Sequence, residues 1–494
     1  MKMAADWRAG SGSILLWLSW LLLVGCNQED KLNSDREQAR GGRPAGKLQD
    51  ELDALRNIPY EQDSAKRPLV LSRPASDRKT WAIQVLEDGY AQSGHARVNW
   101  DAAVHTAFQE YVEYSRVGAF GRYSNLTHVI STAMSTGCDD PMIRYMQVRY
   151  NVADQGVAAE DLGVEHVRAF QNLSRSQYHP ALKFIAGYRA ALAARSAQTN
   201  CNRSVLLAVV TADLYTLACD TNAPAPEVLE PAAWWVEYAH SKSWLPRMFS
   251  EIQPILEQNW KQEPAYYEVC GAAEIGMAWV DRGGGFANTV KDKGWEGFRR
   301  HLDQAEPLLN TAWKMNPTNA ETAYRMMQLE LGQGRGRERM QEWFSRAMAL
   351  ATNYYDAANL MSFYLEPRWY GSEATALEFA RSCVASTNWG GTVPLVLRSL
   401  HYSLARYYNQ TESPSYWHRP QVWADVKAAF EKFYQLNPED VGYRHDYAHD
   451  AFLCGQYAEF LSQTKLFTTG TNYSYFGGEA QFKSMLALAA SKAK

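Results

Sequence analysis

One spacing in the C-terminal half constrains the fold of this 494-residue chain more than any other feature. Large apolar residues recur 35 residues apart, and each is followed three positions later by a small residue. The three pairs are Leu309 with Ala312, Phe344 with Ala347, and Phe379 with Ser382. A fixed period of some tens of residues is typical of stacked units that each bury an apolar face against the next. The spacing therefore predicts a solenoid rather than a bundle.

The local pattern between these positions is helical. From Asn99 to Arg116, apolar side chains recur three and four positions apart, which places them on one face of an α-helix. Similar stretches fill most of the chain after residue 78, and no convincing series of alternating strand residues occurs. Glycine, proline and asparagine mark short connections. We therefore expect an all-α fold, a solenoid of helical hairpins.

Two segments that end in proline carry a more specific resemblance. "AEPLLNTAWKMNP", ending at Pro317, and "AAFEKFYQLNP", ending at Pro438, resemble the second helix of a tetratricopeptide repeat. From Ala278 to Cys383, the series "RGGGFANTVKDKGWEGF", "MQEWFSRAM", "YLEPRWYGS" and "FARSC" resembles an uncharacterised bacterial family of tetratricopeptide-like proteins, known only as a domain of unknown function. The resemblance implies the fold and no enzymatic activity. The wider class of repeats implies binding of peptides or proteins.

The N-terminus has the pattern of an exported lipoprotein. Lys2 and Arg8 precede the apolar run "SILLWLSWLLLVG", which is short for a helix that spans a bilayer. The run ends in "LVGC" at Cys26, which resembles a bacterial lipobox and implies acylation of the Cys26 sulfur. Asn27 follows instead of aspartate, and in the sorting pattern of Gram-negative lipoproteins this implies the outer membrane. We expect a lipid-anchored protein that faces the periplasm.

Composition divides the chain into four parts. Residues 1–25 are the predicted signal peptide, and residues 26–78 are polar and rich in turn residues, so we expect a flexible tether. Residues 79–295 form a predicted N-terminal helical region, and residues 296–494 form the repeat region.

The formal net charge of −4 gives no field that attracts a polyanion, so we expect no nucleic-acid partner.

Six cysteines follow Cys26, namely Cys138, Cys201, Cys219, Cys270, Cys383 and Cys454. An even number permits disulfides in an oxidising periplasm, and six buried thiols are the alternative. No CxxC motif occurs, so the sequence does not support a zinc knuckle or a redox centre. We expect no cofactor.

The stretch "HDYAHD" contains candidate metal ligands. His445 and His449 are four residues apart, so both imidazoles would lie on one helical face, as in the HExxH motif. Asp446 stands where that motif has glutamate, and no third ligand is evident. The alternative is a repeat helix whose histidines line a groove or pair with Asp450. We therefore expect no metal and keep the two histidines as candidates.

The stretch "YLEPRWYGSEATALEFARSC" joins two predicted helices. Pro367 lacks an amide hydrogen and restricts the residue before it, so the first helix must end there. Ser372 can cap the second helix. No nucleophile and base are paired in this stretch, so we interpret it as the corner of a hairpin. The corner motif consists of Pro367, Arg368, Trp369, Tyr370, Gly371 and Ser372.

These patterns predict a membrane-anchored scaffold of helical repeats that binds a peptide, a protein or an envelope polymer. A glycan-binding lipoprotein is one alternative, because the 17 tryptophans and 28 tyrosines can stack on sugars, with "AAWWVEYAH" and "SYWHRP" as the first places to look. An envelope hydrolase with an unrecognised site is the other. The sequence shows no catalytic constellation, so we do not expect an enzyme.

Overall fold

The computed structural model describes residues 75–93, 99–117, 123–152, 159–194, 203–285, 287–409, 411, 413–438, 440, 442–467 and 471–493. Within these ranges the chain is all-helical and contains no β-strand. Two π-helical turns, Glu113–Val117 and Gln147–Val152, follow α2 and α4. The described α-helices are α1 (Ala75–Ser93), α2 (Asp101–Val112), α3 (Tyr123–Ser135), α4 (Pro141–Met146), α5 (Ala159–Ser174), α6 (Pro180–Ala193), α7 (Arg203–Cys219), α8 (Ala225–Ala239), α9 (Leu245–Trp260), α10 (Pro264–Arg282), α11 (Asp292–Met315), α12 (Ala320–Gln333), α13 (Arg337–Leu350), α14 (Tyr355–Tyr364), α15 (Glu373–Ala385), α16 (Val396–Tyr407), α17 (Pro414–Trp417), α18 (Pro420–Leu436), α19 (Arg444–Leu453), α20 (Tyr457–Thr464) and α21 (Glu479–Lys492).

The hairpin of α12 and α13 shows how local sequence fixes the helix ends. The Asn319 side chain caps α12 by accepting a hydrogen bond from the Glu321 amide at 3.0 Å. Gly334 follows α12 in the left-handed region at φ 62°, where a side chain would be strained. The chain then turns and starts α13 at Arg337. A cap and a glycine therefore set the length of α12, and packing sets its orientation.

Most helices pack against a neighbour in the sequence, and one series of helices also packs against the next helix but one. α10 packs on α11, α12 on α13, and α14 on α15. In addition α8 contacts α10, α10 contacts α12, α12 contacts α14, and α14 contacts α16. An ion pair joins α16 to α19. We call α8, α10, α12, α14, α16 and α19 the first-row helices. This row brings together side chains that are far apart in the sequence.

Three hydrophobic cores follow one another along the chain. The first uses helices from α1 to α10, the second from α10 to α19, and the third from α19 to α21. α10 contributes Met277 to the first core and Ile275 and Trp279 to the second. The predicted boundary between residues 295 and 296 falls inside α11, which packs along α10. The first hydrophobic core therefore ends and the second begins within α10, and the packing of α11 on α10 continues across residue 295.

The first described helix starts before the predicted end of the tether at residue 78. α1 begins at Ala75, and the Arg78 guanidinium pairs with Glu227 and with Glu230 on α8, the second ion pair at 2.6 Å. Glu227 is buried, so Arg78 compensates a charge that water does not reach. The predicted signal peptide, Cys26 and the rest of the tether lie outside the described residues. None of the helices described has both the length and the apolar content needed to cross a bilayer.

The cysteines within the described ranges are free thiols. Four of them are buried and one is exposed: Cys138, Cys270, Cys383 and Cys454 are buried, and Cys219 is exposed. Burial raises the pKa of each of the four buried thiols, which keeps them protonated at neutral pH. Cys201 lies outside the described residues. The four buried cysteines therefore contribute to packing as small apolar side chains.

Candidate functional site

The corner motif packs inward on the second core. α14 ends at Tyr364, three residues before Pro367. The Trp369 indole lies edge-on to Trp279 of α10, with ring centroids 6.0 Å apart, and it contacts Phe363 at 5.3 Å. An aromatic cluster of this kind contributes both buried area and a preferred ring geometry. The side chain of Trp369 therefore joins the corner to α10, a helix that precedes the hairpin of α12 and α13.

Arg368, Gly371 and Ser372 complete the corner through specific contacts. The Arg368 Nε lies 2.7 Å from Oε2 of the buried Glu366, and its Nη2 donates to the Ser403 carbonyl at 2.9 Å. A Cβ at Gly371 would lie 2.0 Å from the Leu365 carbonyl oxygen, so a larger residue does not fit there. The Ser372 hydroxyl accepts a hydrogen bond from the amide at N3 of α15, which closes a capping box. These contacts are those of a structural turn.

His445 and His449 lie on α19, and both rings lie near Phe476, with centroids 6.1 Å and 6.2 Å from it, but their polar contacts differ. The His445 ring stacks on Phe467, with centroids 4.0 Å apart, and its Nε2 accepts a hydrogen bond from the Asn472 amide at 3.0 Å. The His449 Nδ1 lies 3.6 Å from Oδ1 of Asp450. Within the described part of the chain, no three His, Cys, Asp or Glu side chains are arranged to hold a metal ion. The structure therefore gives each histidine a packing or hydrogen-bonding role.

The aromatic stretches considered for sugar stacking face the interior. Trp235 stacks on Tyr238 with centroids 5.0 Å apart and is fully buried. Trp417 is also fully buried, and the buried Tyr416 hydroxyl lies 3.0 Å from Nδ1 of His401. Because protein covers these rings, they offer no open face to a sugar.

A cluster of charged side chains on the first-row helices was not predicted from the sequence. Arg325 of α12 is 5% exposed, and its guanidinium pairs with Glu237 of α8 and with Glu321, the second at 2.8 Å. The guanidinium carbon also lies 5.5 Å from the centroid of the Tyr324 ring. The two carboxylates raise the pKa of Arg325, although burial alone would lower it. We call this group, together with two further carboxylates, the Arg325 cluster: Glu237, Glu268, Glu321, Arg325 and Asp356.

Glu268 of α10 is the most firmly held carboxylate of the cluster. It is buried, and Oε2 accepts hydrogen bonds from the Asn319 amide nitrogen and the Thr322 hydroxyl, each at 2.7 Å. Burial and the nearby charge of Glu321 raise the pKa of Glu268 to about 7. Asn319 therefore both caps α12 and fixes a carboxyl group that titrates near neutral pH.

Asp356, in the first turn of α14, has a different environment. Its side chain is exposed, and no described residue donates a hydrogen bond to it or forms an ion pair with it. Even so, the surrounding protein desolvates the carboxylate, and the charges of Glu321 and Glu237 add to this, so that its pKa rises to about 7. Asp356 is therefore an exposed carboxyl group whose pKa is raised by the protein around it and by two neighbouring carboxylates.

Two tyrosines lie close to the carboxylates of the cluster. The rings of Tyr324 and Tyr354 have centroids 5.4 Å apart and are tilted by 47°. The Tyr354 hydroxyl donates to Glu321, and the Tyr324 hydroxyl accepts a hydrogen bond from Nε2 of Gln328 at 3.3 Å. Burial and the neighbouring carboxylate charges raise the pKa of both phenols, which are therefore neutral. The cluster thus has two tyrosine rings near it and contains one carboxylate, Asp356, with no partner among the described residues.

A second cluster of related construction lies further along the row. The buried Arg398 of α16 pairs with Asp446 at 2.8 Å and with Asp450, both on α19. The Tyr402 hydroxyl donates to Asp450, and the Arg398 guanidinium lies 4.9 Å from the Tyr402 ring centroid. Burial alone would raise the pKa of Asp450, but Arg398 holds it below its ordinary value. We call Arg398, Tyr402, Asp446 and Asp450 the Arg398 cluster.

One hydrogen bond bridges the space between the two clusters. The hydroxyls of Tyr355 on α14 and Ser399 on α16 lie 2.6 Å apart. This hydrogen bond joins α14, which carries Asp356, to α16, which carries Arg398. The sequence matches no protein-family model, and it matches no curated protein.

Proposed function

We propose that this chain is a helical-hairpin solenoid of the tetratricopeptide type, and that its first-row helices form a concave surface which binds an extended peptide or protein segment. The series of contacts from α8 to α16 supports this arrangement, because each first-row helix lies beside the next member of the row. In stacked helical repeats, such a surface is the usual binding site. The binding role accounts for charged groups that a purely structural helix stack does not need.

The observation that carries this proposal is the environment of Asp356. The carboxylate is open to solvent, has no partner among the described residues, and has a pKa of about 7. Ionisable groups with perturbed pKa values that gather in a recess are typical of functional sites.

A display experiment tests the binding surface. The folded chain is used to select clones from a library of random peptides, and the same clones are then tested against two variants. Gln328 is half-buried beside Tyr324, so Gln328→Trp should fill the surface and abolish binding. Glu342, exposed on α13, serves for the matched control Glu342→Trp, which should bind normally. The proposal would be refuted if the selected peptides bound Gln328→Trp and Glu342→Trp equally well, or if the library yielded no peptide that binds the folded chain.

We also propose that Cys26 carries a lipid anchor and that the protein faces the periplasm from the outer membrane. The apolar run and the "LVGC" box support this proposal. Because acylation of the cysteine precedes cleavage of a lipoprotein leader, Cys26→Ser should leave an uncleaved, unacylated precursor in a Gram-negative host. A mature, soluble form of normal size would contradict the anchor.

An envelope hydrolase is the second candidate, and one observation favours it. Asp356 has a pKa of about 7, whereas Arg325 holds the pKa of nearby Glu237 below its ordinary value although burial alone would raise it. Opposite shifts in neighbouring carboxyl groups are typical of an acid and a base in one active site. Turnover of cell-wall fragments that is lost in both Asp356→Asn and Glu237→Gln would establish this function. Absence of turnover in the unaltered protein would exclude it for those substrates.

A further inference from the structure

The outer face of α7 is both apolar and exposed. The inner side of this helix belongs to the first core, for example through Leu206 and Leu214. On the outer side, Val205, Val209 and Tyr215 are 57%, 37% and 45% exposed. We call the following six exposed residues the α7 face: Val205, Ala208, Val209, Ala212, Tyr215 and Cys219. The helix is therefore apolar on both sides.

The exposed side of α7 also lacks charge. No exposed residue from Ser204 to Cys219 is acidic or basic. By comparison α9, which packs beside α7, carries the exposed ion pair of Arg247 and Glu251 on its surface. A helix at the surface of a domain normally has a polar outer face, and an exposed apolar patch is typical of an interaction site. The composition of the α7 face therefore indicates that another element covers it.

The size of the α7 face limits what can cover it. From Val205 to Cys219 the face is about 21 Å long, at about 1.5 Å of rise per residue. A standard interface between two proteins uses about 20–30 residues on each side, many more than this face provides. Ala208 and Ala212 near its centre have small side chains, which allow a second helix to approach closely. The face therefore fits one short helix better than a second copy of the whole chain.

The start of α1 lies close to the C-terminal end of α7. Trp81 of α1 contacts His179 edge-on, with ring centroids 5.1 Å apart. The His179 Nε2 lies 3.2 Å from Oδ2 of Asp220, the residue that follows α7. α1 begins at Ala75, only six residues before Trp81. The chain that precedes α1 therefore joins the folded part next to one end of the α7 face.

A short amphipathic pattern precedes α1 in the sequence, outside the described residues. Leu48, Leu52, Leu55 and Ile58 are spaced by four, three and three residues, which is the spacing of one helical face. Three acidic residues and one basic residue stand between them, and Pro59 would end such a helix. At the same rise per residue the stripe is about 15 Å long. Its length and apolar character therefore match the α7 face.

The intervening chain is long enough for this pattern to reach the α7 face. Sixteen residues separate Ile58 from Ala75. A chain of that length spans at most about 55 Å, more than twice the length of the face. Because both elements belong to one molecule, the effective concentration of the segment at the face is high. A small apolar contact is therefore sufficient to hold it there.

We propose that residues 47–58 pack on the α7 face as an amphipathic helix, with the central leucines of the stripe over Ala208 and Ala212. This contact is separate from the proposed peptide-binding surface, because α7 is not one of the first-row helices. In a chain anchored at Cys26, it leaves residues 27–46 as the link between the anchor and the packed segment, instead of residues 27–74. The contact thus holds the folded part closer to the membrane.

Photo-cross-linking in cells tests the inference on the full chain. With p-benzoylphenylalanine in place of Val209, mass spectrometry of the digested product should identify cross-links to residues 47–58 of the same chain. The same amino acid in place of Gln253, exposed on α9, is the control and should not react with this segment. Leu52→Asp should reduce the cross-link at position 209 by about tenfold or more, because it places a charge in an apolar contact. Asn57→Asp adds the same charge opposite the stripe and should change little.

Labelling of Cys219 gives a second measurement without a bulky probe in the α7 face. Cys219 is an exposed thiol at the end of α7. A helix packed on the face restricts access to this thiol, so its reaction with a maleimide should become about threefold or more faster in Leu52→Asp. The rate should stay unchanged in Asn57→Asp.

Several results would overturn the inference. Cross-links from position 209 to α7 of a second copy would assign the face to a dimer, and cross-links to lipid or to another protein would assign it to that partner. Absence of any cross-link would mean that no element covers the face. Equal cross-linking or equal Cys219 labelling in Leu52→Asp and Asn57→Asp would show that the apolar stripe does not make the contact. None of these results would affect the peptide-binding proposal, which Gln328→Trp tests separately.

Discussion

The indole of Trp369 lies edge-on to the indole of Trp279, with ring centroids 6.0 Å apart. Trp279 belongs to α10, whereas Trp369 follows α14, so this contact spans two hairpins of the chain. The contact connects a surface turn to the second hydrophobic core. Loss of this contact should therefore destabilise the second hydrophobic core as well as the turn.

Trp369→Ala should lower the free energy of unfolding by about 3 kcal/mol, near the lower end for a large aromatic, because the indole is only partly buried. Urea unfolding followed by circular dichroism measures this change. Trp369→Phe keeps an aromatic ring in the cluster and should cost clearly less. An unchanged midpoint in Trp369→Ala would mean that this corner does not support the core.

Arg398→Ala should destabilise the chain by about 3–5 kcal/mol, because it leaves the buried Asp446 and Asp450 without a counter-charge. Adding Asp450→Asn to this variant should recover part of the loss, since one stranded charge is removed. The matched control is Arg247→Ala, which breaks an exposed ion pair with Glu251 and should cost less than about 1 kcal/mol. Similar losses at both arginines would contradict the buried-pair argument.

Glu268 should make the stability of the protein depend on pH. Its pKa rises from 4.5 to about 7 on folding, so between these values the folded state holds a proton that the unfolded chain has lost. Stability should therefore fall as the pH rises from about 5 to about 7, by at most about 3 kcal/mol from this group, and then level off. Glu268→Gln should flatten this part of the curve. Chemical unfolding at several pH values between 4.5 and 8 measures the free energy of unfolding. If Glu268→Gln leaves its pH dependence unaltered, groups other than Glu268 cause the dependence.

Removal of metal should leave the fold unchanged. His445 is held by Phe467 and Asn472, and His449 lies beside Asp450, so neither histidine depends on an ion for its position. We expect the same melting temperature with and without EDTA, and no zinc in elemental analysis of the purified chain. One zinc per chain that disappears in His445→Ala and in His449→Ala would restore the metal site.

The helical class was predictable because it depends on short-range patterns. The stripe of apolar residues three and four positions apart needs only a few turns of chain to be recognised. Caps and breakers such as Asn319, Gly334 and Ser372 act over the same distance, and they lie at helix ends in the structure. The position of α1 depends on a pairing of Arg78 with α8, which no local pattern contains.

The charged clusters could not be predicted for the same physical reason. Arg325 and Glu237 are 88 residues apart, and each stands in an otherwise ordinary amphipathic helix. A charged residue in a helix is usually on a solvated face, so the burial of Arg325 and its pairing with Glu237 appear only when the packing of α8 on α10 and of α10 on α12 is known. The sequence motifs instead suggested a site at His445 and His449. The spacing of these residues is recognisable, but their side chains form polar contacts with different residues.

The shared position of α10 in two cores has a consequence for dissecting the protein. Met277 faces one interior, and Ile275 and Trp279 face the other, within a single helix. A fragment that ends before α10 loses one wall of the first core, and a fragment that starts after it loses one wall of the second. If the chain is cut once, just before or just after α10, the two halves should aggregate when they are produced separately. They should become soluble when they are produced together, because each half supplies the surface that the other lacks.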